Sequence, residues 1–162
     1  MKVYQTEQIR NIALIGHGGC GKTTLTEAAL FATGAITRQG RVDDGNTVSD
    51  FDKEEIARKV SIGTSVIPVE YGNTKINLVD TPGYFDFVGE VYGALRASES
   101  ALIVVDASAG VEVGTEKSWK YVEEYKLPRA IFINKMDKEN VEFNKVLDEI
   151  KSQFGDKVVP FT

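Results

Sequence analysis

The segment Gly16-His-Gly-Gly-Cys-Gly-Lys-Thr23 constrains this chain more than any other feature. It fits G-x-x-x-x-G-K-[ST], follows an apolar run ending at Ile15, and precedes a helical pattern from Lys22 to Ala32. Such a loop turns successive amide N–H groups onto phosphate oxygens, which keeps side chains out at Gly16, Gly18, Gly19 and Gly21. The helix that follows adds its N-terminal dipole. Lys22 is expected to neutralise the β- and γ-phosphates and the Thr23 hydroxyl to coordinate magnesium. His17, Gly18, Gly19, Cys20, Gly21 and Thr24 complete the expected phosphate-binding set. A glycine-rich turn before a helix is the bland alternative, and strand, loop, Lys-Thr and helix in order argue against it.

Around this loop, short apolar runs alternate with longer amphipathic segments, the pattern of a mostly parallel sheet covered by helices. Strands are predicted at Asn11 to Ile15, Ile62 to Tyr71, Lys75 to Val79, Ala101 to Val105 and Arg129 to Ile133, with a last one starting at Val158. The turn Gly72-Asn73-Thr74 makes the second and third antiparallel. Helices are predicted at Lys22 to Ala32, Asp86 to Ala97, Thr115 to Tyr125 and Glu142 to Phe154. Trp119 and Tyr121 to Tyr125 read as packing residues. Arg38 to Lys59 is polar and acidic, a long surface loop with at most a short helix near Glu54 to Arg58, and loops of that length are usually functional.

Two further motifs leave predicted strands. Asp80-Thr-Pro-Gly83 follows Ile76 to Val79; its carboxylate can hold a magnesium-bound water, and Gly83 can present its N–H to a γ-phosphate. Asn134-Lys-Met-Asp137 follows Ala130 to Ile133. Asp137 can accept both N1–H and N2–H of guanine, Asn134 serves the other edge, and the Lys135 stem covers the ring. Adenine offers no matching donor pair. The three motifs together indicate a GTP/GDP and magnesium site at one sheet edge, where open α/β sheets bind ligands. Cys20, the only cysteine, excludes an intrachain disulfide. It precedes a helix N-terminus, where a thiolate is favoured, and bound nucleotide is expected to shield it.

With these residues the chain resembles the translational GTPases, closest to elongation factor G and its divergent paralogues. The likeness extends through Gly40-Arg-Val-Asp-Asp-Gly45, Arg58-Lys-Val-Ser-Ile62 and Asp106-Ala-Ser-Ala-Gly-Val111. It implies a P-loop NTPase three-layer α/β sandwich, a mostly parallel sheet with one antiparallel strand. Arg38 to Ser65 would be switch I, and Asp80 through the next helix switch II. It also implies that residues 1–162 are the N-terminal part of a GTP-binding domain, ending before the last guanine-contacting loop. Later domains would engage the ribosome. Three positions depart from the family pattern. Ser61 stands where a magnesium-ligating threonine is usual, with Thr64 as a rival in another register. Gly19 replaces an aspartate. Tyr84 replaces the histidine that aligns the attacking water, which makes Tyr84, with Lys22 and Gly83, the catalytic candidate. His17 reads as structural, its ring turned from the phosphates.

The leading expectation is a GTPase coupled to a ribosomal step. A GTP-sensing module with little hydrolysis is the alternative that Tyr84 raises, and an ATP-dependent phosphotransferase fits the phosphate loop alone. The net charge of −5 shows no global attraction for nucleic acid, so no DNA partner is expected. No apolar run is long enough to span a bilayer, and Met1 to Gln8 lacks the apolar core of a signal peptide, so a cytoplasmic location with no membrane partner is expected; the chain is also expected to be monomeric.

Overall fold

The computed structural model describes residues 2–155 and 157–161. Five strands form one sheet: β1 (Ile9–Gly16), β2 (Ser65–Tyr71), β3 (Thr74–Asp80), β4 (Ser100–Asp106) and β5 (Arg129–Asn134). Their order is β2-β3-β1-β4-β5, with β2 antiparallel to β3 and every other pair parallel. This is the expected mixed α/β sheet.

Burial follows position in the sheet. β4 lies inside the sheet, between β1 and β5, and reads Ala101-Leu-Ile-Val-Val105, an almost continuous apolar run covered on both faces. β2 lies at an edge and alternates, burying Ser65, Ile67 and Val69 while exposing Val66, Pro68 and Glu70. Pro68, which has no N–H for a ladder, is tolerated there.

Among the described residues five α-helices accompany the sheet: α1 (Lys22–Ala32), α2 (Lys53–Arg58), α3 (Val88–Ala97), α4 (Val113–Glu124) and α5 (Phe143–Phe154). α3 and α4 cover one face through Val91, Ala94, Leu95 and Val122, packed on Ala13, Ile15, Ile103 and Val105. Leu30 of α1 packs on Ile67, Val69 and Leu78 from the other face. α5 joins α4 through Trp119 and Phe154, stacked at 4.4 Å. Trp119, Tyr121 and Tyr125 pack against the main core as expected.

Most element ends differ from the sequence reading by only one or two residues, but two differences are larger. β2 begins at Ser65, not Ile62, because the amides of Ile62 and Gly63 are held by Glu55 and that of Thr64 by Glu90. Amides so engaged cannot enter a sheet ladder. No strand forms over 158–161: Val158 packs instead on the apolar cluster of Val146 and Ile150. Pro160 could not donate to a ladder either.

Parallel pairing makes β1, β3, β4 and β5 end at the same sheet edge, and their final residues are Gly16, Asp80, Asp106 and Asn134. The predicted motifs therefore meet. The long loop is pinned from below by Glu27 of α1, fully buried, which accepts the N–H groups of Gly40 at 2.8 Å and Val48 at 2.6 Å. Glu27→Ala strands both amides and is expected to cost roughly 3 kcal/mol, with faster proteolytic cleavage between residues 40 and 48. Urea unfolding and limited proteolysis check this; an unchanged cleavage rate would show that other contacts hold the loop.

Candidate functional site

The phosphate loop gathers its partners through its own carbonyls. Lys22 Nζ donates to Gly16 O at 3.1 Å and His17 O at 2.9 Å. Asn134 Nδ2 donates to Cys20 O at 2.9 Å, and Lys135 Nζ to Gly19 O at 2.7 Å. The base-recognition residues are thus tied directly to the loop expected to hold phosphate. Gly21 makes this approach possible: its φ is 101°, and a Cβ there would collide with Asn134 Nδ2. Thr24 is exposed on the first turn of α1. Asp137 is exposed on the turn beyond β5.

His17 faces away from the loop's concave side, toward the start of α4. Its Nδ1 accepts the Gly114 N–H at 3.3 Å, and its Nε2 lies 3.4 Å from Glu112 Oε1. It therefore braces the loop against the start of α4. Cys20 corrects an expectation. Its side chain is buried by the protein itself, 1% exposed, with Sγ 3.8 Å from Lys22 Nζ. Burial pushes the thiol above its usual value, and the pull of Lys22 and Lys135 does not overcome it. A favoured thiolate is not what the fold produces, because desolvation outweighs the loop's positive field.

Beside the loop lies a cluster of buried oxygen donors. Asp80 is 2% exposed, and neither carboxylate oxygen has a hydrogen-bond partner among the described residues. Burial pushes its pKa up to about 6; the Thr23 and Ser49 hydroxyls and the Lys22 ammonium oppose the shift without reversing it. Thr23 Oγ1 and Ser61 Oγ stand 3.2 Å apart. Asp50, also buried, has one unpaired oxygen, and burial raises its pKa against the Ser61 hydroxyl. Two buried, under-satisfied carboxylates with two adjacent hydroxyls are hard oxygen donors of the kind magnesium takes. Thr64, the rival to Ser61, is turned elsewhere: its hydroxyl donates to Glu90 O and its N–H to Glu90 Oε2.

Switch II approaches from the other side. A Cβ on Gly83 would come within 2.5 Å of Lys22 Nζ and 2.7 Å of Gly18, so only glycine permits this contact. The Tyr84 ring lies against Gly18 while staying half exposed. Tyr84 is therefore beside the phosphate loop, in space that a side chain at position 18 would crowd.

Two site residues escaped assignment from sequence. Asp50 sits in a polar, acidic stretch that carries no pattern, and only the folding of the long loop buries it. Asp106, at the end of β4, binds Lys135 Nζ at 2.6 Å and Lys138 Nζ at 3.5 Å. Burial works against its charge, but the hydrogen bonds of Lys135 and Ser108 outweigh it and hold the carboxyl well below the usual range. Its placement after an apolar strand, like that of Asp80, was the available signal.

The raised Asp80 value has a consequence for stability. Between the unfolded value of 3.8 and the folded value of about 6, the folded protein binds the extra proton, so metal-free stability falls as pH rises through that window. Above it the penalty is complete, roughly 3 kcal/mol. In EDTA, Asp80→Asn is expected to be more stable than wild type near pH 8, with an advantage that shrinks as pH falls toward about 4. Urea unfolding across that range tests it, and a pH-independent difference would contradict the buried-charge account.

Comparison with known proteins agrees with this geometry. Residues 7–161 match the family model described as the elongation factor Tu GTP binding domain. An elongation factor G-like protein of Mycobacterium tuberculosis (strain ATCC 25618 / H37Rv) is 44% identical over 152 residues, covering 94% of this chain and 21% of that protein. A mitochondrial ribosome-releasing factor 2 of Meyerozyma guilliermondii is 43% identical, covering 93% of this chain and 18% of that one. A crystal structure from Thermus thermophilus superposes with a TM-score of 0.88 at 44% identity, covering 91% of this chain and 22% of that chain. The chain spans about a fifth of the length of these relatives. On the match across nearly its whole length, the chain belongs to the elongation factor Tu GTP-binding domain family.

Proposed function

We propose that this chain is the nucleotide-binding part of an elongation factor G-like translational GTPase, which binds GTP with magnesium and hydrolyses it to GDP and phosphate at a ribosomal step. The observation that carries this reading is the pair of hydrogen bonds from Asn134 and Lys135 to the carbonyls of Cys20 and Gly19. They join a guanine-reading loop to a phosphate-reading loop, and an ATP-specific phosphotransferase has no use for that junction. The names of the relatives, which speak of elongation and ribosome release, support the ribosomal part.

In this reading the amides of residues 17–21 and the Lys22 ammonium hold the phosphates, and Thr24 adds a hydroxyl at the helix start. Thr23, Asp80 and Ser61 would hold magnesium, with Asp50 behind them. When bound, the ion would supply charge neutralisation for the phosphates. Gly83 presents its N–H to the γ-phosphate and couples switch II to its presence. Asp137 reads the N1–H and N2–H of guanine. Asp137→Asn is expected to shift preference toward xanthine nucleotides, because xanthine O2 accepts where guanine N2–H donates. Competition titrations with GTP, ATP and XTP check this, and an unchanged GTP preference would remove Asp137 from the base pocket.

Tyr84 motivates a second reading, a GTP sensor with slow hydrolysis. Binding needs the loop amides, Lys22 and the magnesium donors, none of which depends on residue 84. Hydrolysis needs a water in line with the γ-phosphate, and a phenol reaches farther than imidazole and cannot take a proton as imidazole does. Tyr84→Phe keeps the ring against Gly18 and deletes only the hydroxyl. If that hydroxyl orients water, single-turnover hydrolysis with ribosomes should fall roughly tenfold, about 1.4 kcal/mol of barrier, with GTP affinity unchanged. Equal stimulated rates would sink the hydroxyl mechanism, and no stimulation of wild type would favour the sensor.

A further inference from the structure

Ser61 presents a physical difficulty. A threonine at this place has a stiff χ1, whereas serine turns freely among three rotamers and has no methyl to pack. Yet its hydroxyl stands 3.2 Å from that of Thr23, beside the unpaired carboxylates of Asp80 and Asp50. Its hydrogen bond with Thr23 orients the hydroxyl, but the position of the main chain that carries it is set from elsewhere.

The backbone around Ser61 is fixed by one residue. Glu55, on the short helix α2, is 4% exposed, and its Oε1 accepts the N–H of Ile62 at 2.9 Å and of Gly63 at 3.0 Å. Its main-chain carbonyl accepts the N–H of Val60 at 3.2 Å, so the same residue grips the chain on both sides of Ser61. Its other carboxylate oxygen accepts the Asp52 N–H at 3.2 Å, which ties the grip to the start of α2. Lys59, with φ 56°, turns the chain back between helix and serine. Both carboxylate oxygens are thus engaged by amides, so Glu55 acts on Ser61 and is not itself a ligand.

We infer that Glu55 is the positioning residue for Ser61 in magnesium binding, supplying through the backbone the constraint that serine lacks. This rests on the proposed role of Ser61, and the two can fail separately. Because the family resemblance implies that this hydroxyl serves the GTP state, the readout is the magnesium concentration for half-maximal binding of a non-hydrolysable GTP analogue, set against that for GDP.

In the intact protein, Glu55→Ala is expected to raise the midpoint for the GTP analogue roughly tenfold, the usual effect of removing a group that orients a metal ligand. The midpoint for GDP should stay in place. Glu55→Asp, which keeps the charge but is one methylene too short to reach the amides, should do the same and decides the matter if Glu55→Ala does not fold. Glu55→Gln retains an acceptor oxygen and should recover most of the loss. Ser61→Ala should raise the analogue midpoint by a similar factor, and adding Glu55→Ala to it should change little further, because both act through one contact. Equal shifts for GDP and the analogue, or additive effects in the double variant, would overturn the positioning role. A normal midpoint in both Glu55→Ala and Glu55→Asp, with Ser61→Ala impaired, would overturn it alone; a normal midpoint in Ser61→Ala would overturn the Ser61 reading and this inference together.

Discussion

The carbonyls of residues 16–20 are where this structure is joined. A loop that turns its amides inward to receive phosphate leaves its carbonyls facing outward, and each must find a donor or water. Here the donors are the side chains that complete the site: Lys22 for Gly16 and His17, Lys135 for Gly19, and Asn134 for Cys20. One conformation thus positions phosphate, base and charge at once. Asp106 extends the arrangement by holding Lys135 from beneath, which leaves that lysine little freedom to leave Gly19.

The cation side follows a contrary logic. Its carboxylates are costly: among the described residues Asp80 is buried without a hydrogen-bond partner, and Asp50 beside it has a buried oxygen with none. The fold tolerates that cost because neighbouring glutamates stabilise the loop that closes over them. Glu27 holds residues 40 and 48, Glu55 holds 62 and 63, and Glu90 holds 64. Each accepts backbone amides, so the long loop has defined structure without regular strands or a long helix. Strain left at a functional site and supported from its surroundings is a common arrangement in proteins.

Much of this was legible from residues alone. The four strands ending at Gly16, Asp80, Asp106 and Asn134 are apolar runs with a polar residue or glycine at the exit, and parallel pairing then places those exits together. What resisted reading depends on long-range contacts. The start of β2 shifted because Glu55 and Glu90 had claimed amides that local propensity would give to a strand. Cys20 was misjudged because helix-terminus electrostatics are visible in sequence while burial is not. Asp50 was missed for the same reason: among the acidic residues of a polar loop, only the fold shows which one is buried.

The central claim is that one loop serves phosphate and guanine together, with magnesium at Asp80. Calorimetric titration of the wild-type protein with GDP and with ADP, each with magnesium and with EDTA, tests it most directly. The account predicts that GDP binds on the order of 10⁴-fold more tightly than ADP, as expected of a site whose hydrogen-bonding groups are left unpaired by the wrong base. It also predicts that EDTA weakens GDP binding. Equal affinity for the two nucleotides, or GDP binding indifferent to EDTA, would contradict it.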